Sequence, residues 1–211
     1  MTSLQSVHSA SPPPPAEAGA PLMILLHGYG SHERDLPGLA PYLPPLPWAS
    51  VRAPLAMPGG GAAWFPLALP EEPDPQDIEA ATVGLWDWID DNVPSTHPLV
   101  PVGFSQGGLM ALQLLRTRPE RVAATVVLAG FVPTGPQPAD ARLAERRPPV
   151  FWGRGDADGV IWPAAIARTQ ALLPTIADLT ERTYSGLGHG VDERMLGDVR
   201  AFLDAHVDSG G

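Results

Sequence analysis

Short apolar runs alternate with longer segments of helical period from Pro21 onward. This alternation is typical of parallel strands joined by crossover helices. Strands are predicted at residues 22–27, 49–53, 99–104, 123–129, 150–154 and 179–184, and helices at 77–92, 105–118, 163–173 and 191–206. The sequence therefore predicts an α/β fold: a doubly wound, mostly parallel sheet of about six or seven strands with helices on both faces.

The 211 residues suit one domain, which we place at residues 21–207. Residues 1–20 have no positive charge and no apolar stretch, so we expect a disordered or loosely docked arm and no export signal. Residues 208–211 are expected to fray. The apolar runs are too short to span a bilayer. We therefore expect a cytoplasmic protein without integral membrane association.

Two residue types are missing, and their absence excludes several chemistries. Without cysteine there are no disulfides, zinc-thiolate sites or thiol nucleophiles. Without lysine there is no Schiff-base catalysis and no phosphate-binding loop of the nucleotide hydrolases. The net charge is −10, which argues against nucleic acid as a partner.

Residues 103–107 read GFSQG and match the G-x-S-x-G pattern between a predicted strand and a predicted helix. A serine on so sharp a turn needs small neighbours, because side chains at Gly103 and Gly107 would collide with adjoining backbone. This context indicates that Ser105 is a nucleophile. The alternative is an ordinary strand-to-helix turn with a capping serine.

A nucleophilic serine needs a histidine base and an acid that orients the histidine. His189 lies in a glycine-rich turn after the last strand, whereas His27 is interpreted as a hydrogen-bonding brace. His32 has no second histidine at H-E-x-x-H spacing, so no zinc site is predicted. Asp156 and Asp158 both follow the penultimate strand, and spacing does not choose between them. The one that does not orient His189 is expected to cap the turn or to bind backbone amides. A calcium loop is a remote alternative here, because Ile161 and Trp162 follow instead of oxygen ligands.

Acyl transfer also needs hydrogen-bond donors for the oxyanion. The amide that follows the nucleophile belongs to Gln106, and residues 27–30 (HGYG) offer the amide of Tyr29 after the first strand. The alternative for HGYG is a glycine turn that merely ends a strand.

Five segments together resemble the carboxylesterase/phospholipase family of α/β hydrolases, which includes acyl-protein thioesterases and small bacterial esterases. The resemblance spans about residues 21–207 and rests on LLHGYGSHERDL at 25–36, GAAWF at 61–65, GFSQGG at 103–108, RGDADGVI at 154–161 and LGHGV at 187–191. It implies the α/β-hydrolase fold and Asp158 as the acid. It implies no metal and no organic cofactor, and it allows a homodimer.

The chain also departs from that family. Arg154 replaces a usual histidine, and Gly159 and Trp162 replace two prolines, so we expect a looser acid loop and a differently shaped pocket. The proline run at 12–15 leaves little room for strands before the first predicted one, so we expect a trimmed sheet edge. Residues 131–149 are interpreted as a proline-rich loop, which predicts no large cap domain and an open, shallow site.

These observations predict a serine carboxylesterase that hydrolyses small-molecule esters of small to medium acyl chain through an acyl-enzyme intermediate. One alternative is a thioesterase or lysophospholipase for long acyl chains, with an apolar channel along residues 55–69. The other is a non-catalytic binding protein that kept the fold. Six residues are candidates for the pocket walls, although each suits the core equally well: Tyr29, Trp64, Phe65, Phe131, Val160 and Trp162.

Overall fold

A computed structural model describes residues 4–9, 19–67 and 72–207. In chain order, its strands are β1 (Ser6–His8), β2 (Leu22–Leu26), β3 (Trp48–Val51), β4 (Leu55–Ala56), β5 (Ala62–Ala63), β6 (Leu99–Phe104), β7 (Thr125–Leu128), β8 (Pro149–Gly155) and β9 (Asp178–Tyr184). Within these ranges one seven-stranded sheet has the order β1-β3-β2-β6-β7-β8-β9, and β4 pairs with β5 separately. In the seven-stranded sheet, every neighbouring pair of strands is parallel except the pair of β1 and β3, which is antiparallel. The predicted doubly wound, mostly parallel sheet is confirmed.

Helices cover both faces of the sheet. They are α1 (Pro75–Asn92), α2 (Gln106–Thr117), α3 (Asp140–Arg146), α4 (Pro163–Ile176) and α5 (Glu193–His206). On β2, Leu22, Ile24 and Leu26 pack into the cluster that contains α1 and α2, as alternate side chains of a strand must point to opposite faces. Met23 and Leu25 pack into the cluster that contains α5. A strand covered on both sides reads as a continuous apolar run, which is why β2 was recognisable.

Pro101 lies inside β6 although proline cannot donate to a strand ladder. On one side it is opposite Ile24 of β2, within a ladder that spans the whole of β2. On the other side the ladder to β7 begins only at Val102, which pairs with Val126. Before the proline, an isolated bridge joins Leu99 to Val122, so Pro101 lies in the gap between this bridge and the ladder to β7.

The prediction of a disordered or loosely docked arm is wrong for Ser6–His8, and so is the prediction of a trimmed sheet edge. These residues pair with Val51, Ser50 and Ala49 as edge strand β1. The pairing is extended by a hydrogen bond from Arg52 N to Gln5 O at 2.7 Å. The proline run at 12–15 follows this strand, so it does not interrupt the pairing. Residues 1–3 and 10–18 of the predicted arm and the predicted tail at 208–211 lie outside the described residues.

Residues 131–149 are not only a loop, because α3 forms within them. The side chain of Arg116 on α2 is fully buried, and its Nε and Nη2 donate to the two carboxylate oxygens of Asp140 at 2.8 and 2.7 Å. Asp140 is the first residue of α3 and also accepts from Gln137 N. A buried guanidinium requires such a partner, so this pair fixes α3 against α2.

Candidate active site

Ser105 occupies the turn between β6 and α2 with φ 54° and ψ −116°, a backbone conformation that favours glycine. A Cβ atom at Gly103 would collide with the carbonyl oxygen of Gly107, and one at Gly107 would collide with that of Leu26. Ser105 N donates to Leu128 O at 2.8 Å, which ties the turn to β7. Crowded backbone thus holds the serine at the carboxyl end of the central strands.

His189 and Asp158 complete a hydrogen-bonded chain that begins at Ser105. His189 Nε2 lies 2.9 Å from Ser105 Oγ, and His189 Nδ1 lies 2.7 Å from Asp158 Oδ2. Because an ionised carboxylate can only accept, Nδ1 carries the proton and Nε2 accepts from the serine hydroxyl. The ring of Phe104 packs against His189 with their centroids 5.0 Å apart. The structure therefore brings together the three side chains singled out from the sequence.

The two aspartates have different partners. Asp158 Oδ1 accepts from Val160 N at 2.8 Å and Ile161 N at 3.2 Å, which leaves Oδ2 for His189. Asp156 Oδ1 accepts from Gly186 N at 2.7 Å and does not contact His189. Backbone amides thus fix the orientation of both carboxylates, and the looser acid loop stays a prediction.

The acid loop and the histidine loop are also joined directly. Ala157 N donates to Leu187 O at 3.0 Å. A Cβ atom at Gly155 would collide with the same carbonyl oxygen, so the two loops meet at a glycine. This contact fixes Asp158 relative to His189 through main-chain atoms.

The two amides singled out as oxyanion donors belong to different elements. Tyr29 lies in the turn after β2, and Gln106 is the first residue of α2, where a helix leaves its amide without an intrahelical acceptor. Within the described parts of the chain, neither amide has a hydrogen-bond acceptor. Both amides are therefore available to a ligand.

His27 is a brace at the base of the Tyr29 turn. Its Nδ1 donates to Gly28 O at 2.8 Å, and its Nε2 accepts from Ala53 N at 3.1 Å. Burial lowers the pKa of His27 below its ordinary value. The neutral ring suits both hydrogen bonds, because a protonated Nε2 could not accept.

The side chain of Gln106 makes contacts that the sequence did not reveal. Its Oε1 accepts from Trp64 N at 2.9 Å, and its Nε2 donates to Phe65 O at 2.8 Å. These partners are about forty positions away in the chain, so only the fold brings them together. The available signal was a polar side chain beside the predicted nucleophile in an otherwise apolar helix start.

The six candidates for the pocket walls differ in exposure, with three in the core, two exposed and one partly buried. Trp64, Phe65 and Phe131 are each about 1% exposed and lie in the core, because large aromatic rings near strand ends gain most from burial. Tyr29 and Val160 are 43% and 42% exposed. Trp162 is partly buried, and its ring packs edge-on against Phe131.

Two larger cavities lie near these residues. One of about 740 Å³ is next to the acid; it is lined by residues 158–163 and by the first turns of α4. A second of about 870 Å³ runs between α1 and the segment containing Leu55, Trp64 and Phe65. Of these two cavities, only the first is lined by one of the three hydrogen-bonded residues, namely Asp158.

The described ranges lack both a metal-binding cluster and a membrane-spanning helix. No group of three histidine, aspartate or glutamate side chains there is placed to hold a metal ion. No helix in that part of the chain is long and apolar enough to cross a membrane.

Residues 11–207 match the model of the phospholipase/carboxylesterase family. A protein named Probable carboxylesterase from Oryza sativa subsp. japonica is 30% identical over 218 residues, which cover 92% of each chain. Acyl-protein thioesterase 1 of Kluyveromyces lactis is 27% identical over 229 residues, covering 95% of this chain and 96% of its own. The crystal structure of esterase PE8 has a TM-score of 0.78 at 28% identity and covers 98% of this chain and 100% of its own.

A strained serine in the turn between a central parallel strand and the helix that follows it is characteristic of the α/β-hydrolase fold. The chain belongs to the phospholipase/carboxylesterase family, as the sequence motifs predicted. It is a hydrolase of the carboxylic-ester class.

Proposed function

We propose that this chain is a serine carboxylesterase whose triad is Ser105, His189 and Asp158. The single observation that supports it best is the continuous hydrogen-bonded chain from Ser105 Oγ through the imidazole to Asp158 Oδ2. A serine hydroxyl is a weak nucleophile at neutral pH, and a neutral imidazole that accepts its proton makes attack on a carbonyl feasible.

The reaction proceeds in two balanced halves. Ser105 Oγ attacks the ester carbonyl while His189 Nε2 takes the hydroxyl proton, and the tetrahedral oxyanion accepts hydrogen bonds from the amides of Tyr29 and Gln106. His189 returns the proton to the leaving alcohol, which gives an acyl-serine. Water then attacks the acyl-serine while His189 accepts one of its protons, and that proton returns to Ser105 as the carboxylic acid leaves. Asp158 stabilises the imidazolium in both halves.

We propose carboxylic esters of small to medium acyl chain as substrates. The cavity of about 740 Å³ beside Asp158 has the apolar side chains of Val160, Ile161 and Trp162 in its wall. An apolar wall next to the acid suits an acyl group or an apolar alcohol. The second candidate is a thioesterase or lysophospholipase for long acyl chains. The groove of about 870 Å³ beside residues 55–66 favours it, as does the relative named acyl-protein thioesterase 1.

The test is hydrolysis of p-nitrophenyl esters with two to sixteen acyl carbons, by the wild type and by Ser105→Ala. We expect an optimum at two to eight carbons, and loss of activity in the variant at every length. Acyl-coenzyme A thioesters of matching length form the second arm, and a clear preference for long thioesters would replace the proposed substrate class by the second candidate.

A non-catalytic role would give a different pattern. Equal rates for the wild type and Ser105→Ala, together with no labelling of Ser105 by a fluorophosphonate probe, would refute the triad. A cytoplasmic location and a homodimer stay predictions from the sequence.

A further inference from the structure

Residues 61–65 (GAAWF), here called the strap, are hydrogen-bonded to the turn that carries Tyr29. Gly30 N donates to Ala62 O at 2.9 Å, and Ala62 N donates to Ser31 O at 2.7 Å. A Cβ atom at Gly61 would collide with the carbonyl oxygen of Gly30. The strap and the turn are therefore in direct backbone contact on the C-terminal side of Tyr29.

The strap is also hydrogen-bonded to the same turn on the N-terminal side of Tyr29. The indole N–H of Trp64 donates to His27 O at 2.9 Å, and the Trp64 ring is about 1% exposed. His27 O belongs to the peptide that precedes Gly28, so this bond reaches the turn just before Tyr29. The amide of Tyr29 is thus bracketed by strap contacts on both sides.

The other proposed oxyanion donor is tied to the strap by its own side chain. The carboxamide of Gln106 bonds Trp64 N through Oε1 and Phe65 O through Nε2, and this side chain is buried. Two reciprocal hydrogen bonds fix both the position and the rotation of the side chain. The start of α2 is therefore attached to the same segment as the Tyr29 turn.

We infer that the strap sets the separation of the Tyr29 and Gln106 amides, with the side chains of Trp64 and Gln106 as positioning residues; the inference rests on the proposed function. The two amides lie on separate elements, after β2 and at the start of α2. Donors stabilise an oxyanion only when both lie about 2.7–3.1 Å from the developing charge. A segment hydrogen-bonded to both elements maintains that geometry.

The experiment uses Gln106→Met and Trp64→Phe, each of which deletes strap hydrogen bonds but leaves both oxyanion amides in the chain. The control is Trp86→Phe, because the buried indole of Trp86 also donates one bond, to Thr117 Oγ1 at 2.8 Å, at the far end of α2. Thermal unfolding, kcat and KM for p-nitrophenyl butyrate, and inhibition by an alkyl trifluoromethyl ketone are measured for each. The ketone adds to a nucleophilic serine and forms an oxyanion, so its affinity reports on the donors.

We expect Gln106→Met to lower kcat at least about tenfold with KM changed less than about twofold, since losing one whole donor costs roughly a hundredfold or more. The ketone inhibition constant should rise by about the same factor as kcat/KM falls. Trp64→Phe should also lower kcat and raise the ketone inhibition constant. Trp86→Phe should lower the unfolding temperature and retain wild-type kinetics.

Two results would overturn the inference. If Gln106→Met and Trp64→Phe unfold at lower temperature but keep kcat and ketone affinity, the strap is only part of the core. If KM rises while kcat is unchanged, these side chains serve substrate binding. If Gln106→Met does not fold, Trp64→Phe decides between these outcomes. A wild type that neither hydrolyses the ester nor labels with fluorophosphonate overturns the proposed function itself, which separates that failure from a failure of the strap.

Discussion

Replacing Asp158 by asparagine tests its proposed role as the triad acid without changing the shape of the side chain. Asp158 Oδ1 accepts from two backbone amides, Val160 N and Ile161 N, while Oδ2 faces His189 Nδ1. Asparagine has only one oxygen. If that oxygen stays with the two amides, its NH₂ group faces His189 and drives the ring into the tautomer that cannot accept from Ser105. If the side chain flips, both backbone amides lose their acceptor.

The expected loss in kcat is about 10⁴-fold, the size seen when a triad histidine is held in the wrong tautomer. That factor corresponds to about 5.5 kcal/mol of transition-state stabilisation. The matched control is Asp156→Asn, since Asp156 accepts one bond, from Gly186 N, and asparagine keeps an oxygen for it. We expect the control to remain within about threefold of the wild type, as a surface change of this kind costs little.

The assay is steady-state hydrolysis of p-nitrophenyl butyrate, with circular dichroism to show that both variants are folded. An Asp158→Asn enzyme that keeps more than about a tenth of wild-type kcat would contradict the assignment, because the tautomer argument requires a far larger loss. Equal losses in the two variants would mean that the acid loop acts as a unit rather than through one carboxylate.

Two further predictions concern stability. Burial holds the pKa of His27 below its ordinary value, so as the pH falls this ring takes up a proton in the unfolded chain before it does so in the folded one. The free energy of unfolding should therefore be greatest above pH 6.5 and decline below it. Urea unfolding between pH 7.5 and 5 checks this, and His27→Asn should show a smaller decline than the wild type. Gly107→Ala should cost about 3 kcal/mol or more, or roughly 6–12 °C in unfolding temperature, because its Cβ would strike the Leu26 carbonyl. Gly197→Ala, in open space on α5, should instead be neutral or stabilising by up to about 1 kcal/mol, and a similar loss in both variants would contradict the steric argument.

Long, regular patterns were predictable from the sequence, whereas short elements fixed by distant partners were not. The strand at 99–104 and the helix after it could be recognised because each has a continuous apolar pattern and clear ends. Strand β1 has three residues, too few for a periodic signal, and it forms because β3 offers an edge. Helix α3 has seven residues and depends on the buried guanidinium of Arg116.

In the candidate site, too, local patterns were predictable and contacts between distant residues were not. The G-x-S-x-G turn is a local pattern, and its glycine requirement has a local cause in backbone crowding. Gly186, which contacts Asp156, and His189, which contacts Asp158, are each about thirty residues away in the chain, so spacing alone left the two aspartates equivalent. The carboxamide of Gln106 was missed for a related reason, since its partners at Trp64 and Phe65 lie on another segment.

The backbone at Ser105 places stability and activity in opposition. Its φ and ψ are ones that glycine adopts freely, and a residue with a Cβ is held there at a cost of order 1–3 kcal/mol. Selection for heat tolerance alone would therefore favour glycine at position 105, and the proposed nucleophile would be lost. Directed evolution of this chain for heat tolerance would have to score turnover in every round, because one stabilising substitution lies at the position of the proposed nucleophile.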